Sequence, residues 1–600
     1  MVARQSQGNR KERVFLAFFC AVVVRTGFAF QLSMPISKSS DLKSASERQA
    51  RSMSPSEGRA SKTHNLLRVL GLYSTIAKSE KEGSSSSQLA KKSPNSSDQP
   101  VKYDVTTLKD LESYWNDEER RFRNEKGDIN YGELLKALNV QGDSQLAGQK
   151  EHPDFIHPVA QLIHHRKHSN SQMVPDGEKR EDGCRIALAI EGGGMRGCVS
   201  AGMICALGHL NMTDTFDVVY GSSAGTIVGA YLTTGQLQWF GPEVYYDQLT
   251  TAGRAFIDTR RLLRALGLGL LDPRLIKDVI TRPNHGKPVL NLSFLLKRTV
   301  QETKPLDWDK FVKMQKFQPL KVVASGLRSE KAVVMDMKNG HFETLEELTD
   351  CMHASCLLPG IAGPLMNLDT TFEKGSGKKK IVIGNNVQGE KFEPLADALV
   401  CEPLPYRSAL AEGATHVLVI RSRPDGVDVT GKFSFFEKLI YRRFFLRKNR
   451  LPNMYEFFTK QLHKKLYAED IITLNDESKS RRDPFDTSKP HLMTVAAPPG
   501  SDEVTRLETD RKAIFAGFRR GFARAYDCLV EDPNERGRGV EVAKEFFPDE
   551  ILDYDPLQIK DTDDSAFNVY MRKSGVTPKV WKDTPYERKV ESSTYDDVSI

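Results

Sequence analysis

Residues 185–197 read RIALAIEGGGMRG, a strand-like run that passes at once into a glycine-rich turn. After Arg185 the run is apolar without a break, the pattern of a strand buried on both faces of a parallel sheet. Residues 198–210 are helix-compatible, so Gly192, Gly193, Gly194 and Gly197 fall inside a strand–turn–helix unit. Glycines let the backbone approach a ligand closely, and the start of the next helix directs unpaired N–H groups into the same hollow. The segment therefore reads as an anion site. The anion is either a dinucleotide phosphate or the negative oxygen of an acyl-transfer intermediate.

The next strand-like run, 216–220, separates these two readings. A dinucleotide fold needs an acidic residue at the end of its second strand, about twenty residues beyond the glycines, to hold a ribose. Here the run leads directly into Gly221-Ser222-Ser223-Ala224-Gly225, and no GKS or GKT follows the first glycines as a phosphate loop would require. Gly221-x-Ser223-x-Gly225 between a strand and the helix-like 226–232 is the setting of a nucleophile elbow. Small residues flank the serine because the turn is crowded, and Ser223 Oγ is held out at the sheet edge. A nucleotide-binding protein would leave this elbow unused.

The pair EGGGMRG and GSSAG, joined by a helix and the strand FDVVY, resembles the patatin-like phospholipases. Bacterial-type members are especially similar, with YLTTGQ after the elbow and a following FID…LLD segment. The resemblance covers residues 185–423 well and reaches loosely to Cys528. It implies a three-layer α/β/α core with a mostly parallel sheet, extended by added helices. It implies a serine–aspartate dyad with Ser223 as nucleophile and the N–H groups around Gly192, Gly193 and Gly194 as oxyanion donors. Residues 354–359, ASCLLP, resemble the family's ASxxxP stretch. Residues 395–405, LADALVCEPLP, resemble its Asp-Gly-Gly or Asp-Gly-Ala motif, which makes Asp397 the expected base. Ala398 and Leu399 depart from the small residues expected there. A left-handed turn at Ala398 would cost roughly 1–2 kcal/mol and set the carboxylate off line. Arg196, beside Gly197, either meets a phosphate headgroup or braces the loop.

The implied function is serine-dependent hydrolysis of carboxylic esters in acylated lipids through an acyl-enzyme. The alternative is a catalytically weak or inactive lipid-binding protein that keeps the pocket. No cofactor or metal is expected. Glu347, Asp350 and Cys351 share a helical face that water explains as well as an ion would, and His157, His164, His165 and His168 lack an acidic pair at matching spacing. The expected partner is an acylated lipid, presented on a peripheral membrane or lipid-droplet surface. The basic amphipathic stretch 435–445 reads either as a helix on anionic lipid or as a domain-covering helix.

Further strands are expected at 320–324 and 415–420, alternating with helical stretches as in a parallel α/β sheet. A loop is expected across 483–502, before a helix at 512–528. The 600 residues carry a net charge of +7, but residues 1–100 alone hold 16 Lys and Arg against 7 Asp and Glu. The remaining 500 carry 70 against 72, so no broad nucleic-acid-binding face is expected. The eight cysteines form no CxxC pair and read as mostly free, buried thiols.

The amino end reads as an address label. Lys11 and Arg13 precede an apolar run to Val24, with Gly27 and Ala29 placed for a cut before Phe30. Residues 31–100 hold 19 serines, with 11 Lys and Arg against 6 Asp and Glu, too polar to build a core. This two-part pattern resembles the plastid presequences of algae with complex plastids. It predicts a plastid or endomembrane location, with secretion as the alternative. The expected organisation is a signal-like segment 1–29, a disordered leader 30–100, a helical extension 101–180 and a catalytic domain 181–430. A helical part, 431–550, and an irregular tail, 551–600, complete it.

Overall fold

Among the described residues, nine strands form one sheet: β1 (Ile186–Ile190), β2 (Val218–Ser222), β3 (Leu320–Gly326), β4 (Lys331–Met335), β5 (Met366–Asp369), β6 (Ile381–Ile383), β7 (Phe392–Ala396), β8 (His416–Ile420) and β9 (His491–Val495). The computed structural model describes residues 155–237, 240–266, 287–384, 389–427 and 435–554. The segments expected at 1–29 and 30–100, most of the extension at 101–180, and residues 555–600 of the tail lie outside them.

All five residues of β1 are buried, and β2 and β8 run parallel to it on either edge. Enclosed on both edges and both faces, the strand has no place for a side chain that needs water, which is why the sequence there is continuously apolar. The parallel series runs β3-β2-β1-β8-β9, and β4, β5, β6 and β7 add antiparallel pairs beyond it. The sheet is thus mixed, with a parallel centre flanked by helices. Gly197–His209 follows β1, Ala224–Thr233 follows β2, and Leu345–Ser355 and Arg511–Leu529 are among the others.

Residues 483–502 correct the sequence expectation. His491–Val495 is not loop but β9, paired residue for residue with β8. Its five residues, HLMTV, are all buried, and the His491 ring stacks on His416 of β8 at 4.6 Å. The neighbouring strand supplies partners that polar flanks and a preceding proline concealed.

One register decides the site. β3 pairs through Val322 and Val323 with both β2 and β4, so these strands occupy its opposite edges. β2 stops there, and β7 takes the vacated edge, with Ser325 opposite Ala396 and Gly326 opposite Leu395. Because β7 runs antiparallel, its last residue arrives where β2 ends. Asp397 follows immediately.

The opposite ends of the strands are held by buried charge. Arg166, on the helix Pro158–His168, bonds Asp182 Oδ2 at 2.6 Å, Asp217 Oδ2 at 2.8 Å and the Thr215 carbonyl at 2.7 Å. Asp217 also accepts the Ile186 N–H at 2.7 Å and Arg180 Nε at 2.6 Å. This network ties the start of β1 and the approach to β2 to the preceding helix.

Candidate active site

Ser223 stands at the junction of β2 and the helix Ala224–Thr233, with φ 52° and ψ −125°. That left-handed backbone costs a non-glycine residue on the order of 1–3 kcal/mol. Packing holds it there. The Ser223 N–H donates to Ser355 Oγ at 2.8 Å, and its carbonyl accepts from the Thr226 N–H at 3.0 Å and Thr226 Oγ1 at 2.7 Å. Gly225 lets the helix press against β1, because a Cβ there would fall 2.3 Å from the Ile190 carbonyl oxygen. The helix starts two residues earlier than the sequence suggested, directly after the serine.

Ser223 Oγ donates to Asp397 Oδ2 at 2.9 Å. The other carboxylate oxygen accepts the Leu399 N–H at 2.8 Å, and the turn is pinned by Asp397 N–H to Leu357 O (2.9 Å) and Ala398 N–H to Ser355 O (3.1 Å). The strain expected at Ala398 is absent. Neither Ala398 nor Leu399 has positive φ, so the turn needs no left-handed residue. Ala398 is fully buried, and Leu399 contributes the amide that orients the acid. Asp397 is 3% exposed, and burial pushes its carboxyl up to about 6 against the pull of the Leu399 N–H, the Ser223 hydroxyl and the Arg506 charge.

The glycine loop lies over this pair. A Cβ on Gly192 would fall 2.4 Å from the Ser222 carbonyl and 2.5 Å from Ser223 Cβ, so only glycine permits this approach. Among the described residues, the N–H groups of Gly192, Gly193, Gly194 and Ala224 donate to no protein acceptor. These residues line the same cavity as Ser223, and Ala224 also opens a helix whose dipole is positive at this end. Met195 N–H, by contrast, is spent on the Arg506 carbonyl at 3.0 Å.

The loop is braced from below. Glu191 accepts the Ser422 N–H at 2.5 Å, the Ser422 hydroxyl at 2.9 Å and the Tyr467 hydroxyl at 2.6 Å. Arg196 is buried, bonds Ser422 Oγ at 3.2 Å and forms an ion pair with Glu503. Arg196 thus takes the bracing arrangement while still lining the cavity. Gly197 packs under the Tyr245 hydroxyl, and Gly221 packs against Thr226. Ser422, Tyr467, Glu503 and Arg506 escaped the sequence reading. Ser422 alone had a signal, since it follows the carboxyl end of a parallel strand, where ligand sites of α/β sheets collect.

Ser223 and Asp397 sit in a cavity of about 820 Å³ including its open mouth. Val244, Leu249, Phe256, Leu290, Leu292 and Leu295 make its walls apolar, and Arg506 is a charged exception. Burial and the nearby charges of Arg196 and Arg423 pull the Arg506 guanidinium down to about 10. The Cys356 thiol also lines the cavity, and burial pushes it up, away from thiolate. The histidines near the amino end do not converge. His157 and His164 meet the carbonyls of Glu477 and Leu529, and His168 meets Glu531. Among the described residues, no three His, Cys, Asp or Glu are grouped to hold a metal ion.

A serine on a strand–turn–helix, faced by a glycine loop at the carboxyl ends of parallel strands, has the geometry of a nucleophile elbow. Residues 188–410 match the family described as patatin-like phospholipase. No curated protein matches the chain. Among solved structures it is similar to human GIVD cytosolic phospholipase A2 in complex with methyl gamma-linolenyl fluorophosphonate. That match has 12% identity and a TM-score of 0.31, with 65% of this chain covered and 62% of the human one. It is also similar to VipD from Legionella pneumophila, at 11% identity and a TM-score of 0.25, covering 60% and 70% of the two chains. A third similar structure is ExoU from Pseudomonas aeruginosa in complex with SpcU, at 14% identity and a TM-score of 0.18, covering 30% and 44%. The chain spans less than two thirds of the human enzyme's length.

Proposed function

We propose that this protein is a serine-dependent lipid acyl hydrolase. The observation that carries the reading is the 2.9 Å hydrogen bond from Ser223 Oγ to Asp397 on the wall of an apolar cavity. Asp397 takes the Ser223 proton as Oγ attacks the ester carbonyl. The N–H groups of Gly193, Gly194 and Ala224 stabilise the negative oxygen that forms. Collapse breaks the bond to the alcohol, which leaves with the proton from Asp397, and the acyl group stays on Ser223. Water then attacks the acyl-enzyme, giving its proton to Asp397. Ser223 departs, recovers that proton, and the fatty acid is released.

The apolar wall suits an acyl chain, since each buried methylene contributes about 0.8 kcal/mol. Phospholipid, galactolipid, triacylglycerol and lysolipid all present the required ester. The inactive lipid-binding reading loses its motive, because it rested on strain at Ala398. Fatty-acid release from a mixed lipid extract tests the proposal. Ser223→Ala and Asp397→Asn should both abolish release while remaining folded, and release by Ser223→Ala equal to wild type would remove the nucleophile.

We further infer that residues 1–100 address the protein to a plastid or the endomembrane system, from the apolar run followed by the serine-rich, basic stretch. A fluorescent fusion to residues 1–60 should localise there, and diffuse cytoplasmic fluorescence would contradict the reading.

A further inference from the structure

Ester hydrolysis makes no use of the segment from Phe435 to Arg450, which carries six basic residues and one acid, Glu437. It folds as a helix, Phe435–Tyr441, continued by a wider helical turn, Arg442–Lys448. Burial sorts its residues by charge. Glu437, Tyr441, Phe444 and Phe445 are buried, whereas Lys438, Arg442, Arg447, Lys448 and Arg450 are exposed. The charge on the exposed face is therefore all positive. Phe435, at its leading end, is 73% exposed, more than any other large apolar side chain among the described residues. Phe435, Lys438 and Arg442 stand three and four residues apart, which sets the ring and two cations on one helical face.

In water this arrangement is unfavourable twice over. The phenyl ring forgoes the stabilisation of burial, and Lys438 and Arg442 repel one another across one turn of the helix. Both costs fall when the face meets a phase that is negative outside and apolar just beneath. The headgroup boundary of an anionic bilayer is such a phase. The ring enters the acyl region while lysine and arginine stems reach back to the phosphates. A nucleic acid would neutralise the cations but leave Phe435 in water, so the ring decides between the two polyanions.

The face also lies where a lipid hydrolase needs it. A Cβ on Gly360 would fall 2.6 Å from Ile440, so the helix rests directly on the turn after Leu358, and Leu358 lines the cavity. On the inner side, Tyr441 is close enough to feel the charge of Arg506, which lines the cavity too. Among the described residues no helix is long and apolar enough to cross a membrane.

We infer that Phe435–Arg450 is a docking face that seats the protein on an anionic lipid surface beside the cavity containing Ser223. Its purpose rests on the hydrolase reading; the docking itself does not require a reactive serine.

The test places a reporter at the ring. Full-length Phe435→Trp is mixed with phosphatidylcholine vesicles, or with vesicles containing about one third phosphatidylglycerol, each with brominated acyl chains. Its fluorescence is read against the wild-type chain. The added indole should be quenched on the anionic vesicles and not on the neutral ones. Adding Lys438→Gln and Arg442→Gln should weaken that quenching response about 30-fold in lipid concentration. Hydrolysis of a water-soluble short-chain ester should stay unchanged. The basic leader can also draw the chain to these vesicles, so quenching at residue 435, rather than sedimentation, decides. Vesicle-bound protein with an unquenched indole would overturn the inference, as would quenching indifferent to Lys438 and Arg442. Duplex DNA binding that needs both cations while the indole stays unquenched by lipid would overturn it in favour of a nucleic-acid face. Quenching in a protein that hydrolyses no ester would uphold the docking face and remove the hydrolase reading instead.

Discussion

The Ser355 hydroxyl accepts the Ser223 N–H at 2.8 Å, and the Ser355 carbonyl accepts the Ala398 N–H at 3.1 Å, so one residue fixes both the strained serine turn and the turn that carries Asp397. The hydroxyl also donates to the Val323 carbonyl, which anchors it to β3. Ser355→Ala would leave the buried Ser223 amide and the Val323 carbonyl without this partner, a loss of about 1–3 kcal/mol in stability. A displacement of about 1 Å at the serine is enough to slow the reaction roughly 100-fold. Steady-state kinetics on a soluble ester should show the loss in kcat with KM little changed. An unchanged kcat would show that the elbow holds itself.

Asp397 gives the activity a pH limb and sets a stability cost. It must be ionised to accept a proton, so kcat/KM should rise with pH up to about 6 and level off above it. Its carboxyl is raised on folding, so the folded state binds this proton more tightly than the unfolded chain. The contribution to stability therefore falls as pH rises from about 4 to about 6, by about 3 kcal/mol for a fully buried group. Asp397→Asn should consequently be inactive yet more stable than wild type at pH about 8, with the advantage fading near pH about 4. Denaturant titrations at the two pH values check this, and equal stabilities at both would contradict it.

The cavity wall should measure the acyl chain. Leu295 lines it and is buried, and Leu295→Trp would fill space that a long chain needs. Hydrolysis of a palmitoyl ester should fall on the order of 10–200-fold relative to a butyryl ester, the scale on which a pocket discriminates by size. An unchanged ratio would place the chain elsewhere.

At the other end of the sheet, Arg166 is a stability determinant without a part in the chemistry. Its guanidinium satisfies Asp182 and Asp217 out of contact with water. Arg166→Met would strip Asp182 of its ion-pair partner, leave Asp217 with Arg180 alone, and cost about 3–5 kcal/mol. Chemical denaturation should show that loss while kcat per folded molecule is retained.

The parallel centre was legible because its innermost strands are almost wholly apolar. IALAI and HVLVI stand out against the polar segments around them. The antiparallel strands were not. β4 runs from an exposed Lys331 to a buried Met335, and β6 has three residues of which two are exposed, so neither carries a strong period. β9 was hidden because His491 and Thr494 are polar and become buried only beside β8. In the site, Ser223 and Gly192–Gly194 announce themselves locally, since a turn's sterics are written in adjacent residues. Asp397 needed the family resemblance, because its meeting with Ser223 depends on β7 replacing β2 along β3, a register no local pattern reports. Arg506 left no signal in its polar segment. Long-range packing brings it to the glycine loop.

The most direct test is covalent. A fluorophosphonate bearing an alkyl chain should modify the intact protein at a single residue, located by peptide mass spectrometry at Ser223. Labelling should vanish in Ser223→Ala and slow by about 10²–10⁴-fold in Asp397→Asn, the usual contribution of a positioned base. Modification of another residue at the wild-type rate, with Ser223 untouched, would contradict the account.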